Sequence, residues 1–209
     1  MELKNKIFVI QNLIRSENFS TAIVNCKKLL KKYPENSYTY NLCGLALQGE
    51  KRFSNSIEYF SKALHYDSEN LAAMNNLANS YKTLYYYDKA QDLYLKIIKK
   101  DPLNLKTLNN YANLKRTWND FDGAIDLYLK ATKINPEEIN ILFSLADSYQ
   151  SIGDFKKSRE VIDRILRIDP NRTSAHKLIS GFTNYHEGNK EHLDAMKNLS
   201  SKSDLTDNQ

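Results

Sequence analysis

Hydrophobic positions along this chain recur at intervals of three and four residues, and the blocks they form return every 34 residues. The prolines fix that period: Pro34, Pro102, Pro136 and Pro170 all fall on it, and Ser68 takes the remaining point. In this frame the units run over 3–36, 37–70, 71–104, 105–138 and 139–172. Apolar residues occupy positions 4, 7, 8 and 11 of each unit and again 20, 24 and 27, spacings that gather them on one face of a helix. Each unit is therefore predicted to be two amphipathic helices.

The columns alternate small with large. Position 8 reads Ile10, Gly44, Ala78, Ala112, Ala146, and position 20 reads Ala22, Ser56, Ala90, Ala124, Ser158. Position 24 reads Cys26, Phe60, Tyr94, Tyr128, Ile162, and position 17 reads Phe19, Phe53, Tyr87, Phe121, Phe155. Small against large at fixed offsets predicts close approach of neighbouring helices. The first break in each unit falls near positions 14 to 16, where Asn119-Asp120 and Gly153-Asp154 supply turn chemistry. The second falls at Asp101-Pro102, Asn135-Pro136 and Asp169-Pro170, because proline lacks a backbone donor and steers the preceding residue away from helical geometry.

The stretch Met74-Asn75-Asn76-Leu77-Ala78-Asn79-Ser80-Tyr81, followed by Ala90, Tyr94 and Pro102 at the corresponding offsets, resembles the tetratricopeptide repeat (TPR), whose pattern is W-x2-L-G-x2-Y, then A-x3-F, then P. Residues 37–172 carry most of it and the flanking units less. The resemblance implies an all-α fold, a right-handed α-solenoid of about five to six helix-turn-helix units whose concave face is lined by the first helix of each pair. On this reading the array covers 1–172, a degenerate sixth repeat or capping helices cover 173–199, and 200–209 is a polar tail.

Composition narrows the function classes. The longest apolar run near the start, Ile7-Phe8-Val9-Ile10, is too short for a membrane span or a signal peptide, so a cytoplasmic location and no membrane span are expected. Cys26 and Cys43 stand in core columns and have no neighbouring thiol or imidazole pattern, so neither metal nor cofactor is expected. The net charge of +5 is unevenly placed, since residues 3–36 carry seven Lys or Arg against two Asp or Glu. Lys27, Lys28, Lys31 and Lys32 account for most of that surplus. No stacking or base-reading groups are interleaved with them, which argues against nucleic acid. A solvated face is one reading of this cluster, and contact with an acidic partner or a membrane surface is the other.

Once the apolar face of each first helix is buried, positions 2, 5, 6, 9, 12 and 13 are left over. They carry Asn41, Asn75, Asn76, Asn79, Lys106, Asn109, Asn110, Asn113, Arg116 and Asn140. A carboxamide has two donors and two acceptor lone pairs, so a row of them can pair with the backbone of an extended peptide whatever its side chains. This row is similar to the asparagine ladder of O-linked N-acetylglucosamine transferases, with Asn76 and Asn110 at the corresponding position. The competing reading is structural, because asparagine at positions 6 and 9 is common in TPR sequences. The carboxylate clamp that grips chaperone tails is not matched: its five positions read Asn41, Leu45, Asn76, Lys106 and Asn110 here, and both cations expected at positions 5 and 6 are missing.

Phosphate-binding glycine loops and nucleophile motifs are absent from the sequence, so the chain is not expected to be an enzyme. Residues 173–199, with His176-Lys177-Leu178, Tyr185 and Glu191-His192-Leu193-Asp194, resemble the stretch that follows the repeats in bacterial TPR-containing sulfotransferases. The histidines there, His176, His186 and His192, are expected to face solvent. The expected function is that of a bacterial-type protein-interaction scaffold binding a peptide or protein segment. A substrate-presenting, non-catalytic part of a sulfotransferase or other transferase is the alternative, and a self-assembling homo-oligomeric unit is a third reading.

Overall fold

The computed structural model describes residues 2–181 and 190–200. The polar tail beyond 200 and residues 182–189, with Tyr185 and His186, lie outside the described residues. Every regular element among the described residues is an α-helix: α1 (Glu2–Arg15), α2 (Phe19–Lys32), α3 (Ser37–Gly49), α4 (Phe53–Tyr66), α5 (Leu71–Thr83), α6 (Tyr87–Lys100), α7 (Leu105–Thr117), α8 (Phe121–Ile134), α9 (Ile139–Ser151), α10 (Phe155–Ile168), α11 (Thr173–Ser180) and α12 (Lys190–Ser200). None is long and apolar enough to cross a membrane. Two compact units are formed, one up to residue 110 and one from residue 111. The all-α TPR solenoid class expected from the sequence is the one observed.

The breaks have a common local cause. After α1, α3, α5, α7 and α9 one residue takes positive φ, and in each case it is position 15: Glu17, Lys51, Tyr85, Asn119 and Gly153. Around it the position-16 N–H reaches back to the position-11 carbonyl and the position-15 N–H to the position-12 carbonyl, as in Arg52 N to Leu47 O (2.9 Å) and Lys51 N to Gln48 O (2.8 Å). This pair of bonds satisfies carbonyls that the helix end would otherwise leave open. The second helix then begins on an aromatic residue two positions later. At its far end the side chains of Asp67, Asp101, Asn135 and Asp169 accept from the backbone N–H two residues on, at 3.1–3.3 Å, which turns the chain. Asn36, Asn70 and Asn104 then cap the next first helix by accepting the N–H of Thr39, Ala73 and Thr107.

In the first unit α2 packs on α3 and α4 on α5; in the second α8 packs on α9 and α10 on α11. The position-20 and position-24 side chains are fully buried throughout α2, α4, α6, α8 and α10. Gly44 shows why its column is small, because a Cβ there would stand 2.4 Å from the ring of Phe60. Cys26 and Cys43 are fully buried free thiols. Their mutual hydrogen bond, followed by burial, pushes the Cys26 thiol up from its ordinary value. The expectation of solvent-facing histidines is corrected for two of them. His176 and His192 are buried and stack with ring centroids 5.2 Å apart. Burial, followed by the neighbouring His176, holds the His192 imidazole below its usual pKa.

Candidate functional site

The stripe residues of α3, α5 and the start of α7 belong to the first unit, and most of their polar atoms meet one another. Asn76 donates its amide to Asn41 Oδ1 at 2.9 Å, and Lys106 Nζ donates to Asn76 Oδ1 at 3.3 Å. One repeat later, Asn110 donates to Asn75 Oδ1 at 3.0 Å, and Thr107 Oγ1 reaches the same oxygen at 3.4 Å. Both carboxamide pairs join position 5 of one repeat to position 6 of the next, so a single geometry is used twice. Asn41, Asn75 and Asn76 are buried, whereas Asn109 and Asn110 are half-buried and Lys106 is exposed. Gln48, which sequence reasoning passed over, braces the same region by donating to the Asn76 carbonyl at 2.9 Å and to Ser80 Oγ at 2.7 Å.

Asn79 and Asn113 do something else with their side chains. Asn79 Oδ1 accepts the hydroxyl of Tyr94 at 2.6 Å, and Asn113 Oδ1 accepts that of Tyr128 at 2.7 Å. Both tyrosines are fully buried, and burial pushes both phenols above their ordinary pKa. A buried hydroxyl without an acceptor is costly, so the asparagine at position 9 answers the tyrosine at position 24 of the same repeat. The sequence held the signal: where position 24 is Phe60 or Ile162, position 9 is Leu45 or Asp147.

In the second unit Arg116 is half-buried and forms an ion pair with Asp147, a partner the sequence did not nominate. The Arg116 guanidinium also lies beside the Tyr128 hydroxyl and opposes the rise in its pKa. Asn113, Arg116 and Tyr128 therefore stand together. Asn140 does not join them: it is exposed and donates only to Glu138, two residues back, at 3.2 Å. Among the described residues no group of three or more His, Cys, Asp or Glu is arranged to hold a metal ion.

A family model for the N-terminal TPR repeats region of Psidin matches residues 4–113, and one for the tetratricopeptide repeat matches residues 119–180. No curated protein matches the chain. Among solved structures, PilF of Pseudomonas aeruginosa is similar with a TM-score of 0.78 at 17% identity, over 94% of this chain and 88% of that one. MamA of Desulfovibrio magneticus RS-1 is similar with a TM-score of 0.70 at 15% identity, over 81% of this chain and 96% of that one. YrrB, described as a TPR protein with an unusual peptide-binding site, gives 0.65 at 15% identity, over 84% and 90%. Such identities speak for the fold alone. The repeating turns and buried columns agree with what the family models match, and the chain belongs to the tetratricopeptide-repeat family.

Proposed function

We propose that this chain is a protein-interaction scaffold that holds an extended peptide or protein segment against the first helices of its pairs. The observation that carries the reading is the division of labour in the first unit. Asn41, Asn75 and Asn76 are buried and tie neighbouring repeats together, while Asn109 and Asn110 are half-buried and Lys106 is exposed. Lys106 has three donors and gives one to Asn76, so two remain for a ligand carbonyl or carboxylate. Because Asn76 and Asn75 fix them from below, Lys106 and Asn110 lose little freedom on binding, which favours affinity. In the second unit Asn113 and Arg116 are proposed to make a contact of their own, with Asn140 at its edge.

The test is affinity capture with the full chain, the captured proteins being identified by mass spectrometry. Replacing Lys106 and Asn110 by alanine should remove the captured partner and leave the thermal unfolding midpoint within a few degrees. Asn140→Ala should retain capture. Partner retention by the Lys106/Asn110 double variant overturns the reading.

A further inference from the structure

The first helix pair differs from the rest in what it leaves open. In α3, α5 and α9 the side chains at positions 3 and 7 are covered, each at no more than 5% exposure: Thr39 and Cys43, Ala73 and Leu77, Ile141 and Leu145. Each of these helices packs against the preceding second helix, α2, α4 or α8. In the first of these interfaces, Cys43 of α3 meets Cys26 of α2 thiol to thiol. The same two positions in α1 are Asn5, exposed, and Val9, 51% exposed. Between α1 and α2 this leaves a groove of about 290 Å³ with Val9, Ile10 and Leu29 on its floor. Since the equivalent face elsewhere in the chain takes a helix, its shape suits a helix.

The rim is cationic. Lys6, Lys28 and Lys32 line the groove. Two of these lysines already share a carboxylate, for Glu2 pairs with Lys32 at 2.7 Å and with Lys6 at 2.8 Å, and these ammonium groups draw the Glu2 carboxyl down to about 2. Lys28 makes no ion pair among the described residues. All seven Lys and Arg of residues 3–36 stand on α1 and α2, and three of them line this opening.

We propose that the α1–α2 groove docks one amphipathic helix of a partner protein, apolar on the face it buries and acidic along its flanks. Val9 would be covered as Cys43 and Leu77 are covered elsewhere, and Lys28 would gain a carboxylate. A second copy of this chain is a poorer occupant through its α10, which carries five Lys or Arg against two Asp or Glu and would bring like charge to the lysines. This surface is separate from the stripe that includes Lys106 and Asn110, so the two sites can be tested independently.

The test uses the full chain and a fluorescein-labelled synthetic peptide of 14 residues, the length of α2 and α4. In the probe, leucine and alanine alternate at three- and four-residue spacing on one face and glutamate fills the flanks. Fluorescence anisotropy should show saturable binding that weakens with added salt. Val9→Asp and Lys28→Glu should each weaken it by about tenfold or more, while Lys130→Ala, at an exposed position of α8, should not. Both substitutions fall on exposed positions, and circular dichroism melting reports whether folding is kept; if Val9→Asp unfolds, Lys28→Glu decides. Equal binding of a lysine-flanked or scrambled peptide overturns the proposal, and so does wild-type affinity in both folded variants. Sedimentation showing self-association that Val9→Asp abolishes also overturns it, by placing a second copy in the groove.

Discussion

The helix pairs α3–α4 and α5–α6 each bury an aromatic ring at position 24, and they accommodate it differently. Phe60 lies against Gly44, where even a methyl group would collide with the ring. The corresponding residue in the next pair is Ala78, and the ring is Tyr94, which brings a hydroxyl into the core. That hydroxyl is met by Asn79, while the residue at the same place beside Phe60 is the half-buried Leu45. Columns that look independent in a repeat sequence are thus coupled within each pair. In these two pairs the polarity at position 9 matches that of the ring at position 24.

Breaking the polar half of this comparison should have the largest effect. Asn79→Ala strips the buried Tyr94 hydroxyl of the acceptor Asn79 supplies, and the expected loss is about 1–3 kcal/mol, read as a lower urea midpoint. Converting the pair to its neighbour's chemistry, Asn79→Leu with Tyr94→Phe, should bring stability back to within about 1 kcal/mol of the parent, since both polar partners leave together. A double variant as unstable as Asn79→Ala would show that Asn79 does more than serve the tyrosine. Gly44→Ala tests the steric half. Overpacking against a fully buried ring costs about 1–3 kcal/mol, and the better helix propensity of alanine returns up to about 1 kcal/mol, so a net loss near 1 kcal/mol is expected. Adding Phe60→Leu should relieve it in part.

The helix pairs were legible in the sequence because the apolar period and the proline column both act locally. A proline in a helix interior removes a backbone hydrogen bond and clashes with the preceding turn, whatever surrounds it. The asparagine stripe was legible as a surface, yet its roles were not. A periodic reading assigns Asn76 and Asn79 to one face and cannot say that the first pairs with Asn41, 35 residues away, while the second turns toward Tyr94. Gln48 and Asp147 were invisible for the same reason, since their partners lie on a neighbouring repeat. The buried His176 and His192 stack likewise depends on α11 meeting α12, which no local pattern announces. Pairing across repeats is a tertiary fact.

The smallest expected effect concerns the turns, and it compares α5–α6 with α9–α10. Both close with the same two hydrogen bonds and with positive φ at position 15, but the residue there is Gly153 in one and Tyr85 in the other. Glycine enters the left-handed region freely, whereas a residue with a Cβ is strained there. Tyr85 is 77% exposed, so little packing compensates it beyond an edge contact with Tyr87 at 5.9 Å. Tyr85→Gly should therefore stabilise by about 0.5–1 kcal/mol, after the greater freedom glycine gives the unfolded chain is subtracted. Gly153→Ala should destabilise by a similar amount, measured by urea unfolding of the same full chain. If Tyr85→Gly is neutral or destabilising, the Tyr85 ring contributes as much as the strain it causes, and the turn geometry is then held by its aromatic neighbours rather than tolerated by them.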